Sequence, residues 1–447
     1  MECAEASLPE THDFVFRGLL LTEDRFERAF RIVEVELGFC HDYFFTKYHV
    51  IRKKQIFMFV MMLVRIILVL LVGAFVLTDS LTIETPAAVI EVHPRRADTV
   101  ITLLILGTII LVEVLQAAFY LASDWLKVSL ACKYVRNLDL QSREFIVKLI
   151  RAYSRFTIFR YWTNRIGQCS VISECQSFAI HLRYILDPIK NPFERTYRLT
   201  IGKKRASVCL TSAVKIAVAR SLKESDGHLT NGEATLKKNH VFGLFCWALE
   251  VGSQIEIILV WHIATEYCQL TECNENSTYQ TFHEVSEKVC HPEIAITLSR
   301  YCVYLIDSVS ELLTGYVDSE LAIARVMKEV REAIGSLSID AKCQFFKDLQ
   351  VREEEDTIFR KGVKLGKQLE SLNDSALRWK VMAEFWVEKI IYIAPSDNAK
   401  GHMERLNKGG EFLTHIWALL SHAGILKINR DNVRTTNLRS QPLQEDV

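Results

Sequence analysis

The run IFMFVMMLVRIILVLLVGAFVL, Ile56 to Leu77, carries a single charge in 22 positions. At 1.5 Å per helical residue it reaches about 33 Å, enough to cross a hydrocarbon core. A second run of similar length, VITLLILGTIILVEVLQAAFYLA from Val100 to Ala122, is broken by Glu113 and Gln116. Two such runs predict a transmembrane hairpin. The first begins more than fifty residues into the chain and is too long for a signal-peptide core, so no cleaved signal is expected.

Composition agrees with that reading. Hydrophobic residues make up 49% of the chain, a large share beside 24% charged residues, so the apolar ones must be concentrated locally. The 54 basic residues balance the 54 acidic ones, which gives no global pull toward nucleic acid or anionic lipid. Flanking charge sets the orientation, because Lys and Arg mark the cytosolic side. Arg52, Lys53 and Lys54 precede the first span, and Lys127, Lys133 and Arg136 follow the second. The loop between them holds Asp79, Glu84, Glu91 and Asp98 against Arg95 and Arg96, so both termini are expected in the cytosol. Arg65 inside the first span costs roughly 2.5–3.5 kcal/mol at a helix centre unless it finds a partner. In an antiparallel hairpin Glu113 lies at nearly the same depth, and an Arg65–Glu113 pair is expected, either as a structural ion pair or as part of a transport or proton-relay path.

The remainder reads as a large cytosolic helical region, so the fold class is mainly α: a transmembrane helical hairpin followed by a helical cytosolic region. Segments such as Glu144 to Trp162 and Leu321 to Leu337 repeat apolar residues at three and four spacing, and no long alternating run demands a sheet. The linear division is residues 1–54 as an amphipathic cytosolic segment and 55–127 as the hairpin, with spans 56–77 and 100–122. Residues 128–350 follow as a helical region, then 351–447 as a C-terminal helical domain with a disordered tail after about 430. The stretch Arg183 to Lys223, with Lys203, Lys204 and Arg205, is basic enough to touch anionic headgroups or to form a solvated face.

No reaction is legible. The twelve cysteines form no C-x-x-C pair, which argues against a zinc ribbon or redox dithiol, and Cys246 and Cys302 sit in apolar runs as small hydrophobes. In Trp247 to Cys268, His262 and Glu266 lie four apart on one helical face, a spacing that metal sites use, but no second His follows at close range. The helix is read as an amphipathic packing helix. Downstream, NKGGEFLTHIWALLSHAGIL opens on Gly409 and Gly410, a permissive turn, with Glu411 placed against the helix dipole. Phe412, Leu413, Ile416, Trp417 and Leu420 give a docking face, expected to pack on Phe385 to Ala394, and Gly424 suits a C-cap. His415 and His422 complete a candidate polar cluster with His262 and Glu266.

EFWVEKIIYIAPSDNAKGHMERLNKGGEFLTHIWALLSHAGI, Glu384 to Ile425, strongly resembles the C-terminal domain of a plant membrane-protein family known as domain of unknown function 4220 with C-terminal domain 594. VEVELGFCHDYFFTKYHVI, YLASDWLKV, RYWTNRIGQCSVIS and ILVWHIATEYC resemble further blocks of that family in order. The resemblance implies a membrane setting and no activity. Members usually carry additional membrane helices before the first block, so an N-terminally shortened chain is expected. Around Ile306 to Ala322 the sequence is more polar than the family's apolar stretch.

The expected role is therefore a membrane-anchored scaffold or interaction protein at the plasma membrane or an endomembrane. Its partners would be proteins or a second copy, through cytosolic helices, with no nucleic acid, no cofactor and no enzymatic activity. The alternatives are a transporter or channel component using Arg65 and Glu113, and a metal-dependent enzyme using His262, Glu266 and a C-terminal His.

Overall fold

The computed structural model describes residues 8–22, 26–45, 55–82, 94–122, 132, 134–137, 145, 147–148, 162–172, 206–275, 290–313, 319–335, 337–349, 357–372 and 374–425. The cluster Lys203, Lys204 and Arg205, most of the helix expected from Glu144 to Trp162 and the tail after about 430 lie outside the described residues.

The chain is mainly helical. Helix α1 (Leu8–Asp13) passes into a π-helical turn (Phe14–Leu19), then come α2 (Phe26–Phe45), α3 (Gln55–Thr82) and α4 (Pro94–Ala122). Two short strands, β1 (Arg165–Gly167) and β2 (Ser207–Cys209), pair antiparallel with Ile166 opposite Val208. The rest is α5 (Ser212–Ser225), α6 (Glu233–Lys238), α7 (Phe242–Phe245), α8 (Gln254–Glu275), α9 (His291–Ser308), α10 (Ser319–Ile334), α11 (Ile339–Asp348), α12 (Ile358–Glu370), α13 (Ser375–Ile393), α14 (Ala399–Asn407) and α15 (Phe412–His422).

Two compact units result. One, Gly38–Tyr161, contains the pair α3 and α4. Both helices outrun their apolar cores, α3 through Asp79 and α4 from Pro94, a proline whose missing N–H costs nothing in a first turn. Both are long and apolar enough to cross a membrane, and their apolar stretches are little buried: 0% of the residues from Val60 to Thr78 and 6% from Val100 to Ala118. A core helix of a soluble protein would show the opposite.

The other unit combines Met1–Leu37 with Trp162–Val447. The linear division drawn above cuts across it, because the N-terminal segment packs with the C-terminal helices: the Phe30 and Phe412 rings lie 5.8 Å apart. Helix α8 forms its centre. Every residue from Ile257 to Cys268 is buried, so this helix is enclosed all round where an amphipathic one was expected. Its closest neighbour is α12, made close by two glycines one turn apart. A Cβ on Gly362 would lie 2.5 Å from the Ile263 Cβ, and one on Gly366 would lie 2.7 Å from the Tyr267 ring. Helix α13 packs on α9 and α5. The chain leaves α15 through Gly424 at φ +78°, where Gly424 N–H donates to Ser421 O and Ile425 N–H to Leu420 O, the Schellman pattern of a glycine C-cap.

Candidate functional site

Among the described residues, charged and polar groups penetrate this helical core at several places, three of which carry residues of interest. At the first, His262 and Glu266 project from α8 and meet the segment that follows β1 together with α9. Ser170 Oγ donates to Glu266 Oε2 at 2.6 Å, and Arg300 Nε donates to Glu266 Oε1 at 2.7 Å. Val171 N–H donates to His262 Nε2 at 3.1 Å, so Nε2 is the acceptor and Nδ1 carries the proton toward Ser299 Oγ, 2.8 Å away. The tautomer is thereby fixed. Burial holds His262 neutral, with its pKa pushed down to about 4. Burial alone would raise Glu266, but its charged neighbourhood and the hydrogen bonds from Arg300 and Ser170 outweigh it and keep the carboxylate ionised.

The second place is the GGEFLTHIW block. Gly409 and Gly410 take φ +106° and +80°, and the Trp162 ring closes over Gly410, 3.2 Å from where a Cβ would sit. Glu411 does not cap the helix it precedes. Its backbone is extended, and its buried carboxylate accepts hydrogen bonds from Tyr301 and Tyr304, each at 3.1 Å, while Tyr301 in turn accepts Leu413 N–H. His415 Nδ1 donates to Glu411 O, and its ring lies 4.1 Å from that of Trp162. The face Phe412, Leu413, Ile416 and Leu420 is buried, with ring neighbours Phe30, Trp162 and Tyr301. Docking was expected on Phe385 to Ala394. Just beyond that segment, Trp417 Nε1 donates to Ser396 O. After the glycine turn, α15 sets its buried face against Tyr301 of α9 and against Trp162.

The third place is Glu388 and Lys389 on α13. Glu388 accepts N–H groups of Gly232, Ala234 and Thr235 and the hydroxyl of Thr230, and so caps the start of α6 from a distant helix. Lys389, fully buried, donates to Asn231 Oδ1 and Gln254 Oε1, and burial pushes its pKa down to about 7. Beside it opens a cleft of about 290 Å³ framed by α5, α6, the start of α9 and α13. On its wall Lys238 bridges Glu224 at 3.0 Å and Glu384 at 3.3 Å.

The four residues of the candidate polar cluster thus divide. His262 and Glu266 share one network, His415 belongs to the second, and His422 lies at the surface 2.5 Å from Glu36. Among the described residues no group of three His, Cys, Asp or Glu side chains could hold a metal ion. In the other unit Arg65 Nη1 donates to Glu113 Oε1 at 3.1 Å.

The first two networks join Ser170 and Val171 to α8 and set Trp162 against GGEFLTH near the end of the chain, and the family models cover both segments. Residues 2–175 match "Domain of unknown function (DUF4220)" and residues 371–425 match "Protein of unknown function, DUF594". The chain carries a DUF4220 match followed by a DUF594 match. No curated protein and no solved structure matches it. In DUF4220 terms, Trp162, Ser170 and Val171 form the end of that domain, and Trp162 stacks on the DUF594 helix that carries Phe412 and His415. The sequence reading missed Glu388, Lys389 and Arg300. A charged pair inside the otherwise apolar FWVEKIIYI was the available signal for the first two. Arg300 had none, since its partner lies 34 residues away.

Proposed function

We propose that this chain is a membrane-anchored interaction protein, held in the bilayer by α3 and α4 with both termini in the cytosol, whose helical unit binds protein partners. The observation that carries the anchoring is the uncovered apolar surface of the two long helices, which lipid would cover. Binding is favoured over catalysis by the state of the buried acid and base groups. Both nitrogens of His262 and both oxygens of Glu266 are hydrogen-bonded within the protein, and both side chains are buried away from solvent. The Phe412–Leu420 face is consumed within the chain, so the cleft beside α13 is the better seat for a partner side chain.

A photoreactive residue at Ser221 in that cleft tests the reading. It should give discrete adducts in cells that disappear when Ala383→Trp fills the cleft, with membrane extraction and protease pattern unchanged. Identical adducts from Lys400 on the exposed face of α14, or none from Ser221, would contradict it. The Arg65–Glu113 bond inside the spans supports a second reading, a transporter component. In that case neutralising either residue abolishes flux, and further helices must complete the pathway.

A further inference from the structure

Arg65 is the tenth residue of its apolar run, about 14 Å of helix from the end of the span, too deep for the reach to the interface that serves residues near helix ends. Its single bond among the described residues goes from Nη1 to Glu113 Oε1. Glu113 is buried against it, but 62% of the Arg65 side chain remains exposed. The remaining N–H donors of the guanidinium therefore face whatever lies beside the hairpin, and hydrocarbon cannot accept them. One turn from Glu113, toward the same end of the hairpin, Gln116 is also exposed and offers an amide oxygen. Each hairpin thus shows lipid an unfilled donor set and an unfilled acceptor, offset by about one turn.

We propose that two copies of the chain associate through their membrane hairpins, Arg65 of each donating to Gln116 Oε1 of the other. A two-fold axis along the membrane normal keeps equal residues at equal depth and makes both bonds with one patch. The pair of Arg65–Glu113 bridges stays neutral, so no net charge is carried into the interface. This inference rests on the anchoring proposed above.

The test uses the full chain, labelled in two colours and reconstituted in liposomes, with energy transfer read as lipid is diluted and alkaline-carbonate extraction run on the same samples. Wild type should stay inserted and keep its transfer on dilution. Gln116→Leu should stay inserted and associate about tenfold more weakly, and Gln116→Glu, which still offers an acceptor, should restore association. An inserted but monomeric wild type, with Arg65 satisfied by water or headgroups, overturns the proposal. So does Gln116→Leu associating as strongly as wild type. Carbonate-extractable protein would overturn the anchoring itself.

Discussion

Glu266 keeps its charge inside the helical core because Arg300 and Ser170 each supply a donor to a different oxygen. Glu266→Ala removes the acceptor and leaves both donors to be satisfied elsewhere. Since Arg300 is partly exposed and can recover water, the expected cost is about 2–4 kcal/mol, somewhat under that of a fully enclosed pair, read from the denaturant midpoint. His262, His402 and His415 are buried and neutral, each with a pKa pushed by burial from 6.5 to about 4. Between those values the unfolded chain binds protons that the folded chain refuses. Their stabilising contribution is therefore complete above pH 6.5 and is lost as pH falls toward 4. His422 acts in the opposite sense, since its bond to Glu36 raises its pKa, but it is half exposed and its effect is screened. A midpoint that drops clearly between pH 7 and pH 4.5 is expected; a flat one would mean that the three rings are not held neutral.

At the scale of elements, the contact of α8 with α12 depends on bare backbone at Gly362 and Gly366. Gly362→Ala drives a methyl into Ile263 and is expected to cost about 1–3 kcal/mol despite the better helix propensity of alanine. Thermal unfolding measures it, and a stabilised variant would show that the helices can part freely. Trp162, 3% exposed, fills the space between the glycine turn and α15, so Trp162→Ala should cost about 3–5 kcal/mol and loosen α15 selectively in hydrogen exchange. These elements differ in how far the sequence revealed them. The two long apolar helices and the Gly424 cap were readable because each signal is contiguous: an unbroken apolar run, and a glycine one step past a periodic helix. The glycines of α12 sit in FRKGVKLGKQLE, where neither composition nor period says which helix they will meet. The enclosure of α8 was hidden for the same reason, since the partners of His262 and Glu266 come from residues 170–171 and 299–300.

At the scale of the molecule, the two units interleave in sequence. The chain begins in the helical unit, leaves it for the hairpin within α2, and returns at Trp162 to complete the same core. A linear division could not show this, because only long-range packing joins residues 26–37 to α15. The return segment bonds to α8 and stacks on α15, so it ties the end of the DUF4220 match to the DUF594 match within one unit. The central claim is that this unit stands on the cytosolic side of a membrane hairpin. Glycosylation mapping in microsomes reads that directly, using the native sequons at Asn276 and Asn373, which lie outside the described residues, and one introduced between Leu81 and Val92. The account predicts modification in the introduced loop alone. Modification at Asn276 would place the helical unit in the lumen and contradict it.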